Sequence, residues 1–184
     1  MNLLKMNLAN KLTFIRLLMV PVFIVVFSIY QVNSWAPAII FALTASTDFL
    51  DGYVARKYNM STTFGKFMDP LVDKVLTQAG YILLASAQLI PAWVVVVIIF
   101  RELLITGLRT LAASNNVTIA ASIYGKVKTV TQFLAIIAYL LKGVLTFIPN
   151  YAFSILLYIS VITTVISGIE YLVKNKEVLD LNNI

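Results

Sequence analysis

The sequence predicts an all-α polytopic membrane protein with six transmembrane helices. Three observations point there. Hydrophobic residues make up 60% of the 184 positions, and charged residues only 12%. A soluble domain of this length carries roughly twice that charged fraction. The apolar residues also lie in uninterrupted runs, Val20 to Ile29, Trp93 to Phe100, Phe133 to Leu141 and Tyr151 to Ile166, rather than on one face of a helical period. A chain this short has too little interior to bury such runs, so lipid must surround them.

One crossing takes about 20 helical residues. The spans fall at 13–30, 35–56, 67–89, 91–113, 121–146 and 150–173. Residues 1–11 read as a short interfacial helix, with Leu3, Leu4, Met6 and Leu8 beside Lys5 and Lys11. The first break carries Asn33, Ser34 and Pro37. The second, 57–66, is polar through Asn59, Ser61, Thr62 and Thr63. Gln88 to Pro91 makes a tight turn, Asn115 and Asn116 mark the fourth break, and Gly143 and Pro149 the fifth. No repeat or low-complexity tract interrupts the chain, so residues 1–184 form a single domain. The first apolar run ends without a small-residue cleavage site, which argues against a cleaved signal peptide.

The charges orient these spans. Lys5, Lys11, Arg16, Arg56, Lys57, Lys66, Arg109, Lys126, Lys128, Lys174 and Lys176 fall on one side, and only Lys142 on the other. That bias places both termini and the 57–66 connection in the cytoplasm. A net charge of +6 therefore reads as positive-inside loops and contact with anionic headgroups, not as nucleic-acid binding.

Cysteine and histidine are both absent. Disulfides, thiolate or imidazole metal sites and Ser-His-Asp catalysis are excluded. Any bound metal must take oxygen ligands, which favours magnesium, manganese or calcium. The acidic residues are few, and half of them are Asp48, Asp51, Asp69 and Asp73. Each pair, three and four residues apart, lies on one helix face. The short connection makes their helices antiparallel neighbours, so the four carboxylates can meet around one point. Left uncompensated among apolar helices, that charge is intolerable, and divalent metal relieves it. Ion pairing with Arg56, Lys66 or Lys74 is the ordinary alternative. Gly52 and Ala55 leave room beside this face, Arg56 offers a planar donor suited to phosphate, and Gly65 lets the chain turn into the third span.

The run from Asp48 through Asp51, Gly52, Ala55, Arg56, Gly65 and Asp69 to Asp73 resembles, at every fixed position, the pattern D-x2-D-G-x2-A-R-x8-G-x3-D-x3-D of the CDP-alcohol phosphatidyltransferases. The six-span reading fits that family along nearly the whole chain. The resemblance implies cleavage of a CDP-linked donor, transfer of its phosphatidyl or phosphoalcohol group to a hydroxyl, and release of CMP. It implies two divalent ions, Mg2+ or Mn2+, held by Asp48, Asp51, Asp69 and Asp73, with Asp73 also the general base. Asp51, Gly52, Ala55, Arg56 and Gly65 would border the donor. Thr13 and Arg16 either reach the donor phosphates or cap and anchor the first span. The family is commonly homodimeric.

Three flanking stretches resemble the bacterial phosphatidylglycerophosphate synthases within that family: Asn10 to Arg16 with Pro21 beyond, Arg101 to Arg109, and Gly125 to Thr129. They imply CDP-diacylglycerol as donor and sn-glycerol 3-phosphate as acceptor, with phosphatidylglycerol or inositol phosphate as alternative acceptors. Arg109, Lys126 and Lys128 can form a cationic pocket for a phosphate monoester, or serve only as positive-inside signals. Arg101 and Glu102 either pair with each other or meet substrate. A transporter with an intramembrane acidic cation site is the rival of another class. It would more often show a polar path reaching both faces, whereas here the outer half is nearly free of charge.

Overall fold

A computed structural model describes residues 8–58, 63–114, 117, 119–120 and 122–176, with side-chain surroundings for 14–47 and from 74 onward within those ranges. The described chain forms six helices: α1 (Leu8–Tyr30), α2 (Ala36–Tyr58), α3 (Thr63–Ser86), α4 (Ala92–Ser114), α5 (Ile123–Leu140) and α6 (Asn150–Lys174). No strand occurs among the described residues.

The helix ends follow local chemistry. Gln31 takes a left-handed φ of 48° and its N–H reaches the Phe27 carbonyl at 2.7 Å, which closes α1. Ser34 Oγ then accepts from the Ala36 N–H at 3.2 Å and opens α2. Gln88 has φ 58°. Around it, Leu89 N–H bonds to the Leu84 carbonyl at 3.0 Å and Gln88 N–H to Ala85 at 2.9 Å. This pair of bonds satisfies the last free carbonyls of α3 and turns the chain toward Pro91. At α5, Ser122 Oγ accepts from the Gly125 N–H at 3.1 Å.

α3 is the hub of the bundle, packing against α1, α2, α4 and α5, while α6 packs against α4 and α5. The core they share includes Phe23, Phe41, Leu76, Leu84, Ile98, Ile136 and Leu157. Phe41 joins three helices through its ring, 5.5 Å from Phe23 and 5.8 Å from Phe133 between centroids. Large apolar side chains also cover the outside. Val25, Ile29, Val96, Phe100, Leu103, Ile162 and Ile169 are all more than half exposed. By length and composition, Asn150–Lys174 is a helix apolar enough to cross a membrane, and Phe14–Tyr30 and Ala36–Thr47 are shorter apolar stretches.

The element boundaries differ from the sequence reading in four places. Leu8 to Lys11 are continuous with α1, because no glycine or proline separates them from Leu12; residues 1–7 of the expected interfacial helix lie outside the described residues. α3 begins at Thr63 rather than 67, since a helix need not stop where its apolar stretch does. Gly65 consequently sits in the first turn of α3 and not in a turn before it. α5 ends at Leu140 rather than 146, giving way to turns over 141–144.

Those turns explain the next glycine. A Cβ on Gly143 would lie 2.9 Å from the Val32 carbonyl carbon and 3.1 Å from Asn33 Oδ1, so two connections on the same end touch backbone to backbone. Gly107 of α4, by contrast, has nothing within 4 Å of an added Cβ. Gly143→Ala is expected to destabilise the bundle by about 1–3 kcal/mol through overpacking, and Gly107→Ala to leave it unchanged or slightly stabilised. Thermal unfolding of both variants in detergent checks this; equal midpoints would contradict it.

Candidate active site

Six cross-helix polar contacts gather at one end of the bundle. Arg16 of α1, only 1% exposed, donates from Nε to Thr47 Oγ1 of α2 at 3.3 Å. Lys74 of α3 donates to Thr106 of α4. Lys128 of α5 pairs with Glu102 of α4. Arg101 of α4 donates from Nη2 to Ser167 Oγ of α6 at 2.6 Å. Arg109 of α4 donates from Nε to Tyr171 OH of α6 at 2.7 Å. Ser122, the cap of α5, donates to Glu170 Oε2 of α6 at 2.6 Å. The alternation of six helices puts all these positions together, with the connections near Val32, Gln88 and Gly143 at the opposite end.

The acidic positions belong to the same end. Asp48 and Asp51 lie in the C-terminal half of α2, and Asp69 and Asp73 in the N-terminal half of α3. Residues 59–62 connect the two helices, which pack against each other. Thr47 and Lys74 bracket the acidic stretch directly, and both take part in the contacts just described. The side chains of Thr13, Asp48, Asp51, Gly52, Ala55, Arg56, Gly65, Asp69 and Asp73 lie outside the described residues. Among the described side chains, no cluster of three or more acidic groups exists. All four acidic positions are aspartates on two packed helices, and carboxylate oxygen is the ligand type that a hard divalent cation takes.

The interior of this end is a buried charge network. Glu102 Oε1 faces both Lys128 Nζ and Arg101 Nη1, the latter at 3.3 Å. All three residues are at least 92% buried. One carboxylate thus balances two cations, Arg101 of its own helix and Lys128 of α5. Removing it takes the opposing carboxylate from both, a change that costs about 3–5 kcal/mol in buried pairs. Thr106 extends the network, donating from Oγ1 to the Glu102 carbonyl at 2.6 Å while receiving Lys74. Gly168 makes room for it: a Cβ there would stand 3.2 Å from Arg101 Cγ. Arg101 and Glu102 therefore pair with each other, the first of the two roles the sequence allowed.

The three basic residues expected to bind an acceptor separate into two settings. Lys128 is buried against Glu102, whereas Arg109 and Lys126 are exposed. Arg109 lies over the Tyr171 ring, 5.3 Å from its centroid, as well as bonding to its hydroxyl. Sequence reasoning missed the partners on α6. Ser160, Thr164, Ser167 and Tyr171 are buried polar residues at three- and four-residue spacing on an otherwise apolar helix. That polar stripe was the available signal.

Known proteins resemble this chain along most of its length. The sequence pattern described as CDP-alcohol phosphatidyltransferase matches residues 6–166. A Bacillus subtilis protein named CDP-diacylglycerol--glycerol-3-phosphate 3-phosphatidyltransferase is 40% identical, over 96% of this chain and 99% of its own length. One from Haemophilus influenzae with the same name is 38% identical over 92% of this chain and 93% of its own. A Mycobacterium tuberculosis protein named probable phosphatidylglycerophosphate synthase is 40% identical over 91% and 81%. With most of its length matched by the pattern and by relatives of nearly the same extent, this chain belongs to the CDP-alcohol phosphatidyltransferase family.

Proposed function

We propose that this protein is an integral membrane enzyme that transfers the phosphatidyl group of CDP-diacylglycerol to sn-glycerol 3-phosphate, giving phosphatidylglycerophosphate and CMP. The observation that carries this reading is end-to-end similarity to a relative named for that reaction. Agreement of this sequence with every fixed position of the 48–73 pattern supports the chemistry. The apolar outer faces of the helices support six crossings, since lipid is the solvent that accepts them. The one-sided distribution of lysine and arginine supports a cytoplasmic active end and cytoplasmic termini.

In this reading Asp48, Asp51, Asp69 and Asp73 would hold two divalent ions, magnesium or manganese, and such ions would supply positive charge against the donor pyrophosphate and the CMP that leaves. Asp73 takes the proton from the acceptor hydroxyl as its oxygen attacks the β-phosphorus in line. Arg56, Gly52, Ala55 and Gly65 border the CDP moiety. Arg16, bonded to Thr47 at the edge of the acidic stretch, and Thr13, three residues earlier in α1, would serve the donor phosphates. Arg109 and Lys126 provide exposed positive charge for the acceptor phosphate. Lys128 acts with them from below, its ammonium held by Glu102. The headgroup level is where such a reaction must occur, because CDP and glycerol 3-phosphate arrive from water while the acyl chains remain in lipid.

Two variants test the roles. Asp73→Asn is expected to lower CMP release about 100- to 10,000-fold, the usual contribution of a general base, with helical content and elution volume in detergent unchanged. Substantial transfer by this variant would remove Asp73 from the base role. Lys126→Ala is expected to raise the KM for glycerol 3-phosphate about tenfold, as loss of a charged hydrogen bond does, and to change the KM for CDP-diacylglycerol far less. An unchanged acceptor KM would take Lys126 out of the acceptor site.

A further inference from the structure

The last turns of α6 present Ser167, Glu170 and Tyr171 at helical spacing on one side. Each holds a different neighbour. Ser167 accepts from Arg101, Glu170 accepts from Ser122, and Tyr171 accepts from Arg109 at 2.6, 2.6 and 2.7 Å respectively. Tyr171 OH also donates to the Ala120 carbonyl at 3.2 Å, which ties it to the segment leading into α5.

The consequences for the cations are specific. Ser122 is the cap that fixes where α5 starts, through the Gly125 N–H at 3.1 Å. The start of α5 determines which way Lys126 and Lys128 face, because one residue of slippage rotates a helix by about 100°. Glu170 anchors that cap, and its other oxygen is held by Lys174 at 2.6 Å. Arg109 is an exposed side chain with many rotamers, yet it is bonded to the Tyr171 hydroxyl and stacked over its ring. Tyr171 itself is 3% exposed and so has a fixed position. The apolar core contacts of Phe153, Leu157 and Val161 already join α6 to the bundle in its other half. The polar trio adds fixed partners only where the basic residues of α4 and α5 converge.

We propose that Ser167, Glu170 and Tyr171 form a positioning face that sets the basic residues of α4 and α5 for a phosphate-monoester acceptor. Tyr171 acts through Arg109, and Glu170 acts through Ser122 on Lys126 and Lys128. Neither touches a reacting atom. This inference rests on the acceptor reading given above. Loss of a positioning contact weakens the acceptor complex before it affects the chemical step, so the effect falls on one KM.

The test uses the full chain in detergent micelles, with CMP release measured while CDP-diacylglycerol and glycerol 3-phosphate are varied separately. Tyr171→Phe keeps the ring and removes the hydroxyl. Ser122→Ala removes the cap, and Ser122→Thr restores it. Tyr171→Phe and Ser122→Ala are each expected to raise the acceptor KM about tenfold, with donor KM and kcat within about twofold. Ser122→Thr is expected to return the acceptor KM to the unsubstituted value. Unchanged acceptor KM in both variants, while the unsubstituted protein turns over glycerol 3-phosphate, overturns the positioning face alone. A lowered unfolding midpoint with equal losses for both substrates also overturns it, because that is the result of a purely structural role. If the unsubstituted protein releases no CMP with glycerol 3-phosphate, the acceptor reading falls first and this inference with it.

Discussion

The Glu102 carboxylate sits between two buried cations, Lys128 of α5 and Arg101 of α4, and the arrangement of this end of the protein depends on it. Buried charge is tolerated only when paired and hydrogen-bonded. Glu102 meets that condition for two helices at once, and Ser167 completes it for Arg101 from a third. The same network passes through Thr106 to Lys74, the residue that follows Asp73. The carboxylate thus joins α4 to α5, and the Glu102 backbone, through Thr106, joins the same turn of α4 to the helix that carries half of the acidic pattern. Removal of the carboxylate would disturb the basic side of this end directly.

The surrounding lipid explains why polarity is so concentrated. Helices whose outer faces carry Val96, Phe100, Leu103 and Ile169 leave charged groups nowhere to go but inward or to the ends. The inner faces at the far end are filled by Phe23, Phe27, Tyr139 and Phe153. At the near end the inner faces carry arginine, lysine, glutamate and hydroxyls instead. A phosphoryl-transfer centre needs this kind of location, with metal-binding carboxylates and phosphate-binding cations held apart by a rigid scaffold yet close to water. The acidic half comes from α2 and α3, and the basic half from α4 and α5. α6 supplies no expected ligand of its own, but it touches the basic half at three points.

Much of this was legible in the sequence because it was local. Pro37 and Pro91 marked helix starts, the polar 57–66 stretch located a break but overstated its length, since α2 and α3 both run into it, and the spacing of Asp48, Asp51, Asp69 and Asp73 was visible without any fold. The end of α5 at Leu140 was not legible. Leu141 to Leu145 is apolar apart from Lys142 and Gly143, and only the close approach of Gly143 to Val32 shows why the chain turns there. The division of the basic residues was also hidden. Lys126 and Lys128 look alike in the sequence, two positions apart on a helix, which points them to different sides. Only the neighbouring helix reveals that Glu102 awaits one and not the other. The partners on α6 were visible as a polar stripe, but hydroxyl residues in an apolar helix also bond to their own backbone, as Thr163 and Ser154 do here.

In the proposed function, one end of this bundle joins a CDP-linked lipid, held over four aspartates, to an acceptor recognised by its phosphate monoester. The most direct measurement is CMP release by the purified chain from CDP-diacylglycerol with glycerol 3-phosphate, inositol phosphate, serine and phosphatidylglycerol supplied in turn. The account predicts rapid release with glycerol 3-phosphate, with phosphatidylglycerophosphate formed in equal amount, and little with serine or phosphatidylglycerol. Faster release with phosphatidylglycerol or serine, neither of which carries a phosphate monoester, would contradict it.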